Sequence, residues 1–141
     1  MKKIFLSIII SIFFNSAFSQ TIISKWKTID DSTGKARSII NIYQQNDEIY
    51  GKIVDLLEKE KRDKRCIECE DERKDQPILG MIILSDLVKE DDKYYTGKIL
   101  HPGKGKEYRC KIWVDENNPD ILNVRGYISF FYKTQQWKRV E

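Results

Sequence analysis

From Thr21 onward, turn-forming residues cut the chain into short apolar-rich segments, and no segment carries the period of an amphipathic helix. Glu107–Val114 is the cleanest case. Tyr108, Cys110, Ile112 and Val114 share one strand face, and Arg109, Lys111 and Trp113 share the other. Seven further runs read the same way: 21–29, 36–43, 48–57, 78–84 (ending at Ser85-Asp86), 93–100, 121–127 and 130–140. The intervals Asp30–Lys35 and Gln44–Asp47 look like hairpins, Pro102–Gly105 is an emphatic turn, and Asn117–Asp120 is another. Gly51 inside the third run suggests a bulge or a close backbone approach. Eight strands joined by short turns predict an all-β, antiparallel sheet that must hide its edges. An eight-stranded up-and-down barrel does this by closing, and a two-sheet sandwich is the competing architecture.

The first residues belong to a different class. Met1-Lys2-Lys3 precedes an apolar run from Ile4 to Phe14, then Asn15-Ser16-Ala17-Phe18-Ser19-Gln20. A charged start, a short apolar stretch and small residues at 17 and 19 predict a signal peptide over residues 1–19, cleaved at Ser19-Gln20. Eleven apolar-region residues would span only ~16 Å as a helix, too short for a transmembrane anchor. A buried core helix would show an amphipathic period, which is absent here. The expectation is an exported protein, periplasmic or secreted, with one domain over residues 20–141, a size that supports its own core. The whole chain has 25 Lys+Arg and 22 Asp+Glu; losing Lys2 and Lys3 leaves 23 against 22, a net charge of +1. That balance gives no reason to expect nucleic acid as a partner.

One stretch departs from the β pattern. In Glu58–Asp75, EKEKRDKRCIECEDERKD, fifteen of eighteen residues are charged, mostly basic before Cys66 and mostly acidic after Cys69. It cannot be a buried strand. Either it folds back at the cysteines so that its arms attract, or it forms a solvated helical turn with Glu58–Arg62 and Glu60–Lys64 four apart. Both readings put it on the surface.

Several separated strings, SKWKTIDDSTGKARSIINIY, IYGKIVDL, CIEC followed by PILGMIIL, TGKILHPGKGKEYRCKIWV and LNVRGYISFFYKTQQWKR, together resemble the bacterial envelope family called domain of unknown function 2147. The resemblance covers nearly all of residues 22–139. It implies a lipocalin-like barrel, an exported location and no established activity. It also implies that Trp26 plugs the closed end of the barrel with a late basic side chain stacked across it by cation–π attraction: Arg139, with Arg125 as the alternative. The chain departs from the pattern at Ser24-Lys25-Trp26, where Gly-x-Trp is typical, and at His101-Pro102, where Asp-Pro is usual.

Among candidate chemical groups, Cys66 and Cys69 of an exported protein are expected to form a disulfide. A zinc site would need Cys66, Cys69, His101 and Cys110 together, but the alternation makes Cys110 a buried thiol, so no metal is expected. No cofactor is expected either. His101 is the lone histidine, and Ser85 or Ser129 lacks the surrounding string of a nucleophile. In 121–127, Asn123, Arg125 and Tyr127 alternate onto one face, with Leu122, Val124 and Gly126 on the other. If the polar set points inward, Arg125, Tyr127 and Asn123, with Tyr108, form a positively charged interior site for the head group of an amphipathic ligand. The leading expectation is therefore a non-enzymatic lipocalin-like protein holding a small apolar or amphipathic ligand inside the barrel. The alternative is a solid barrel that uses the Cys66–Cys69 loop as an interaction surface.

Overall fold

The computed structural model describes residues 21–140; the expected signal peptide and its cleavage point lie outside the described residues. Eight strands run β1 (Lys25–Ile29), β2 (Ala36–Gln45), β3 (Glu48–Leu56), β4 (Ile82–Glu90), β5 (Tyr94–His101), β6 (Lys106–Val114), β7 (Ile121–Ile128) and β8 (Phe131–Arg139). Each pairs antiparallel with its neighbours in sequence, and β1 pairs with β8 through Trp26↔Arg139, closing the barrel. Closure leaves no free edge and removes the sandwich alternative. No helix among the described residues is long and apolar enough to cross a membrane.

The turns follow from residue type. Asn46 and Asp47 both adopt positive φ, the conformation a two-residue hairpin between right-twisted strands requires, and Asn and Asp tolerate it better than most side chains. β4 differs from expectation. It begins at Ile82 and runs through Ser85-Asp86 rather than ending there, because Asp86 takes positive φ inside a bulge where the β4–β5 register shifts. Residues 21–24 are not part of β1. Ile22 tucks under the barrel instead, and its carbonyl accepts a 2.8 Å hydrogen bond from Trp26 Nε1.

Cross-strand register carries one face continuously round the barrel. Trp26 faces Ile40, Ile40 faces Ile53, Leu84 faces Ile99, Ile112 faces Val124, and Leu122 faces Trp137. These are the interior residues, and Trp26, Ile40, Leu84, Ile112 and Leu122 are wholly buried. Gly51 sits where β3 crosses close to β4: a Cβ there would lie 2.6 Å from the Leu84 side chain. The interior is filled at this level by large apolar side chains, a continuous core that buries two tryptophans.

Candidate functional site

The same alternation that fills the interior fixes what faces water. On β6 and β7 the inward set is Cys110, Ile112, Leu122 and Val124, so Arg109, Lys111, Trp113, Asn123, Arg125 and Tyr127 face outward. This corrects the interior site expected at Arg125, Tyr127 and Asn123. The polar set points out because its cross-strand mates, Trp113, Lys111 and Arg109, are equally polar or amphipathic, while the apolar mates Ile112 and Val124 bury each other. Of the four residues expected to line that site, Tyr108 alone faces inward, half-buried beside Ile99 near one end of the barrel. Asn123 is buried beneath its outer-wall neighbours. Its Nδ2 donates to Asp115 at 3.1 Å and its Oδ1 accepts from Gln136 at 3.4 Å, so it is committed to structure.

Outside, cations and aromatic rings interleave across four strands. Lys111 Nζ stands 4.0 Å from the centre of the Tyr94 ring and 5.3 Å from that of Trp113. The Arg125 guanidinium lies 5.1 Å from Trp113 and 4.3 Å from Tyr132, and its Nε donates to Thr134 Oγ1 at 2.9 Å. Tyr132 in turn packs against Tyr127 with ring centres 6.2 Å apart. The rings hold the cations without neutralising them. The five contiguous strands β5, β6, β7, β8 and β1 contain ten Lys and Arg but one acid, Glu107. Among the described residues Lys25, Lys27, Arg109, Lys111, Arg125 and Lys138 form no ion pair. A chain of nearly balanced total charge thus keeps its acids, all but Glu107, off these five strands.

The wall ends in an apolar point. The β7–β8 turn presents Ile128, Phe130, Phe131 and Tyr132 to solvent, with Phe130 97% and Phe131 77% exposed. Among the described residues nothing covers them, and Ser129 takes positive φ where the chain turns at the tip.

At the opposite end Arg139 spans the closed bottom of the barrel. Its guanidinium lies 4.3 Å from the centre of the Trp26 ring, and it donates to the carbonyl oxygens of Pro119 (2.8 Å from Nη2) and Thr21 (3.4 Å). Arg125, the alternative, is on the outer wall.

Cys66 and Cys69 are joined in a disulfide with their Cα atoms 5.4 Å apart. Their segment was expected at the surface, and its charged side chains are there, but both cysteines are fully buried. The chain folds back so that Arg65 bridges Pro77 and the Cys66 N–H donates to the Gln76 carbonyl at 2.9 Å. The two arms do not pair basic against acidic. Arg73 instead reaches Glu107 on β6 at 2.9 Å, Arg62 reaches Asp55 on β3, and helical structure is limited to a 3₁₀ turn at Lys59–Lys61. Glu107 is the cross-strand mate of Leu100, so the segment lies against the outer wall of β4–β6. There it covers Ile83 and Leu100, which are buried although they point away from Leu84 and Ile99. Nothing in the sequence's alternation signalled this second apolar layer beyond the Cys residues themselves.

The remaining groups have modest chemistry. Cys110 faces the interior, and burial pushes its thiol up to about 12, so it is protonated and inert at neutral pH. It is not brought together with His101, Cys66 and Cys69 as a zinc set. Burial, and then the nearby Lys104 charge, push the His101 pKa below its usual value. Two hollows stand out among the described residues. One of about 670 Å³ lies between the Cys segment and β4, lined by Arg73, Pro77, Met81 and Glu107 among others, and one of about 330 Å³ lies beside Ile22, Tyr95 and Glu116. Neither is lined by Arg125, Tyr127 or Tyr108.

Residues 24–139 match the family described as "Uncharacterized protein conserved in bacteria (DUF2147)". The chain belongs to that family. Among solved structures, this DUF2147 member is similar to protein HP1028 from the human pathogen Helicobacter pylori, described as belonging to the lipocalin family. The TM-score is 0.72 at 20% identity, covering 86% of this chain and 84% of that one. That likeness shows a lipocalin-like fold. No curated protein matches this DUF2147 chain.

Proposed function

We propose that the protein is an exported, non-enzymatic lipocalin-like binding module that takes the anionic head group of an amphipathic ligand on its outer wall, at Lys111 and Arg125. The observation that carries this reading is the placement of those two cations. Each is held over aromatic rings with no acid paired to it. A guanidinium whose Nε is already bonded to Thr134 still presents its remaining N–H groups to a carboxylate or phosphate. The faces of Trp113 and Tyr132 beside it offer apolar surface for the start of a tail. The amphipathic ligand expected from the sequence is kept, and its place moves from inside the barrel to outside.

Calorimetry with dodecanoate and with neutral dodecyl maltoside, both below micelle-forming concentration, tests this. Dodecanoate should bind and the maltoside should not. Lys111→Ala/Arg125→Ala should weaken dodecanoate at least about tenfold, equivalent to about 1.4 kcal/mol. Equal binding of both amphiphiles, or an unaffected double variant, would overturn the reading. Export is checked separately: the mass of protein recovered from outside the cytoplasm should correspond to a chain beginning at Gln20.

A further inference from the structure

The β7–β8 tip combines two properties that seldom meet on a water-soluble surface. Phe130 and Phe131 project almost fully into solvent, flanked by Ile128 and Tyr132, which are also exposed. Tyr132 packs against Tyr127 and Arg125, but Phe130 and Phe131 at the point of the hairpin belong to no core cluster among the described residues. Directly behind it stand cations. Arg109 is the cross-strand mate of Tyr127, and Arg125 and Lys111 follow one step further back; Lys133, the mate of Gly126, is instead paired with Asp31 at 3.1 Å.

Spacing decides what such an arrangement fits. Four residues separate Arg125 from Ser129, ~13 Å along the strand at about 3.3 Å per residue, and Arg109 is roughly half as far from the tip. The polar zone between a bilayer's acyl core and water is on the order of 5–8 Å deep. With Phe130 and Phe131 at the acyl boundary, Arg109 falls within the head-group layer, and the Arg125 backbone stands ~5 Å beyond its outer edge. The near absence of acids on β5–β8 and β1 makes this wall complementary to anionic lipid.

We infer that the Ile128–Tyr132 hairpin inserts its phenylalanines into the surface of an anionic lipid bilayer while the cations behind it hold the lipid head groups. This rests on the proposed function, naming the amphipathic ligand as a lipid that is still in its membrane. The chain is thereby placed on a membrane surface by residues that include no membrane-crossing helix among those described.

Vesicle flotation with phosphatidylcholine alone, and with phosphatidylglycerol added, tests the inference. Protein should float with the anionic vesicles and be released by high salt. Phe130→Ser/Phe131→Ser should weaken flotation by about tenfold or more. Both positions are exposed, so this variant should melt as the parent does. A Phe130→Trp variant should show emission shifted to shorter wavelength on vesicle binding, with quenching by brominated lipid. Vesicle binding by the double serine variant equal to the parent's, or Phe130→Trp emission unchanged by vesicles, would overturn insertion. Failure to float while dodecanoate still binds at Lys111 and Arg125 would sink the membrane inference alone. Loss of both would sink the proposed function with it.

Discussion

Gly105 lies directly against the backbone of Glu68, so close that a Cβ built on it would collide with the Glu68 carbonyl and the Cys69 amide nitrogen. Its φ of +62° is itself a conformation that favours glycine. The β5–β6 turn and the disulfide segment are therefore fitted to each other through bare backbone. Gly105→Ala should destabilise the fold by about 2 kcal/mol or more, combining backbone strain with a clash that neither side can relieve by rotating a side chain. Urea unfolding measures the loss. Limited proteolysis should show where it acts, with cleavage within residues 58–81 appearing before cleavage in the strands.

The disulfide closes a very short loop, so it constrains the unfolded chain little. The chain-entropy relation gives about 2 kcal/mol for a loop of this size. Reduction should lower stability by that amount without opening the barrel, since Arg73–Glu107 and the Arg65–Pro77 bridge still hold the segment down. Thiol counting gives a second readout. The native, oxidised protein should react at no cysteine, because Cys110 is buried with its thiol raised to about 12, and denaturation without reductant should expose one thiol.

Much of the barrel was legible because strand alternation is a local property. Tyr108, Cys110, Ile112 and Val114 were assigned one face from their spacing alone, and the register puts that face inside. The direction of the Asn123–Arg125–Tyr127 face was not legible from its own strand. Alternation separates two faces but does not say which is inner until neighbouring strands are in register. The basic wall was hidden for a similar reason. Its cations are spread over five strands, and their sum is cancelled chiefly by acids in the turns and on β3 and β4, so net charge conceals the asymmetry. The outer apolar layer under Cys66 and Cys69 was masked by fifteen charged neighbours, which point to solvent while the two sulfurs point in.

Arg139 and Trp26 make a prediction at the closed end. Arg139 stacks on the ring and also binds two carbonyl oxygens from separate segments, at Pro119 and Thr21. Arg139→Ala should cost about 2 kcal/mol, a range typical of hydrogen bonds from a charged donor. Arg139→Lys should recover only part of this, because an ammonium can stack but cannot present a planar fork to two carbonyls. Trp26→Ala should cost about 3–5 kcal/mol through the cavity it leaves. Denaturant midpoints of the three variants should fall in the order Lys, Ala, then Trp26→Ala, and a Lys variant as unstable as Arg139→Ala would show that stacking contributes nothing.

Two groups near the opposite end should give stability a two-step dependence on acid. His101 has its pKa lowered by burial first and then by Lys104, with smaller contributions from Arg37 and Lys133. The unfolded chain takes up a proton at this residue near pH 6.5 while the native state resists it, so the unfolded state binds more protons below that pH. Stability therefore falls as pH drops from about 6.5 toward the depressed native value. Asp30 acts in a lower window. Hydrogen bonds from Ser32 Oγ and from the Thr33 and Ser32 amides, aided by Arg37, hold its carboxyl at about 2, so the stabilisation it supplies is complete above roughly pH 4 and is lost as pH falls toward about 2. His101→Gln should flatten the upper step alone, and Asp30→Asn the lower step alone. Urea midpoints measured across both windows check this, and a His101→Gln profile identical to the parent's between about pH 5 and 7 would rule out the histidine as the source of the upper step.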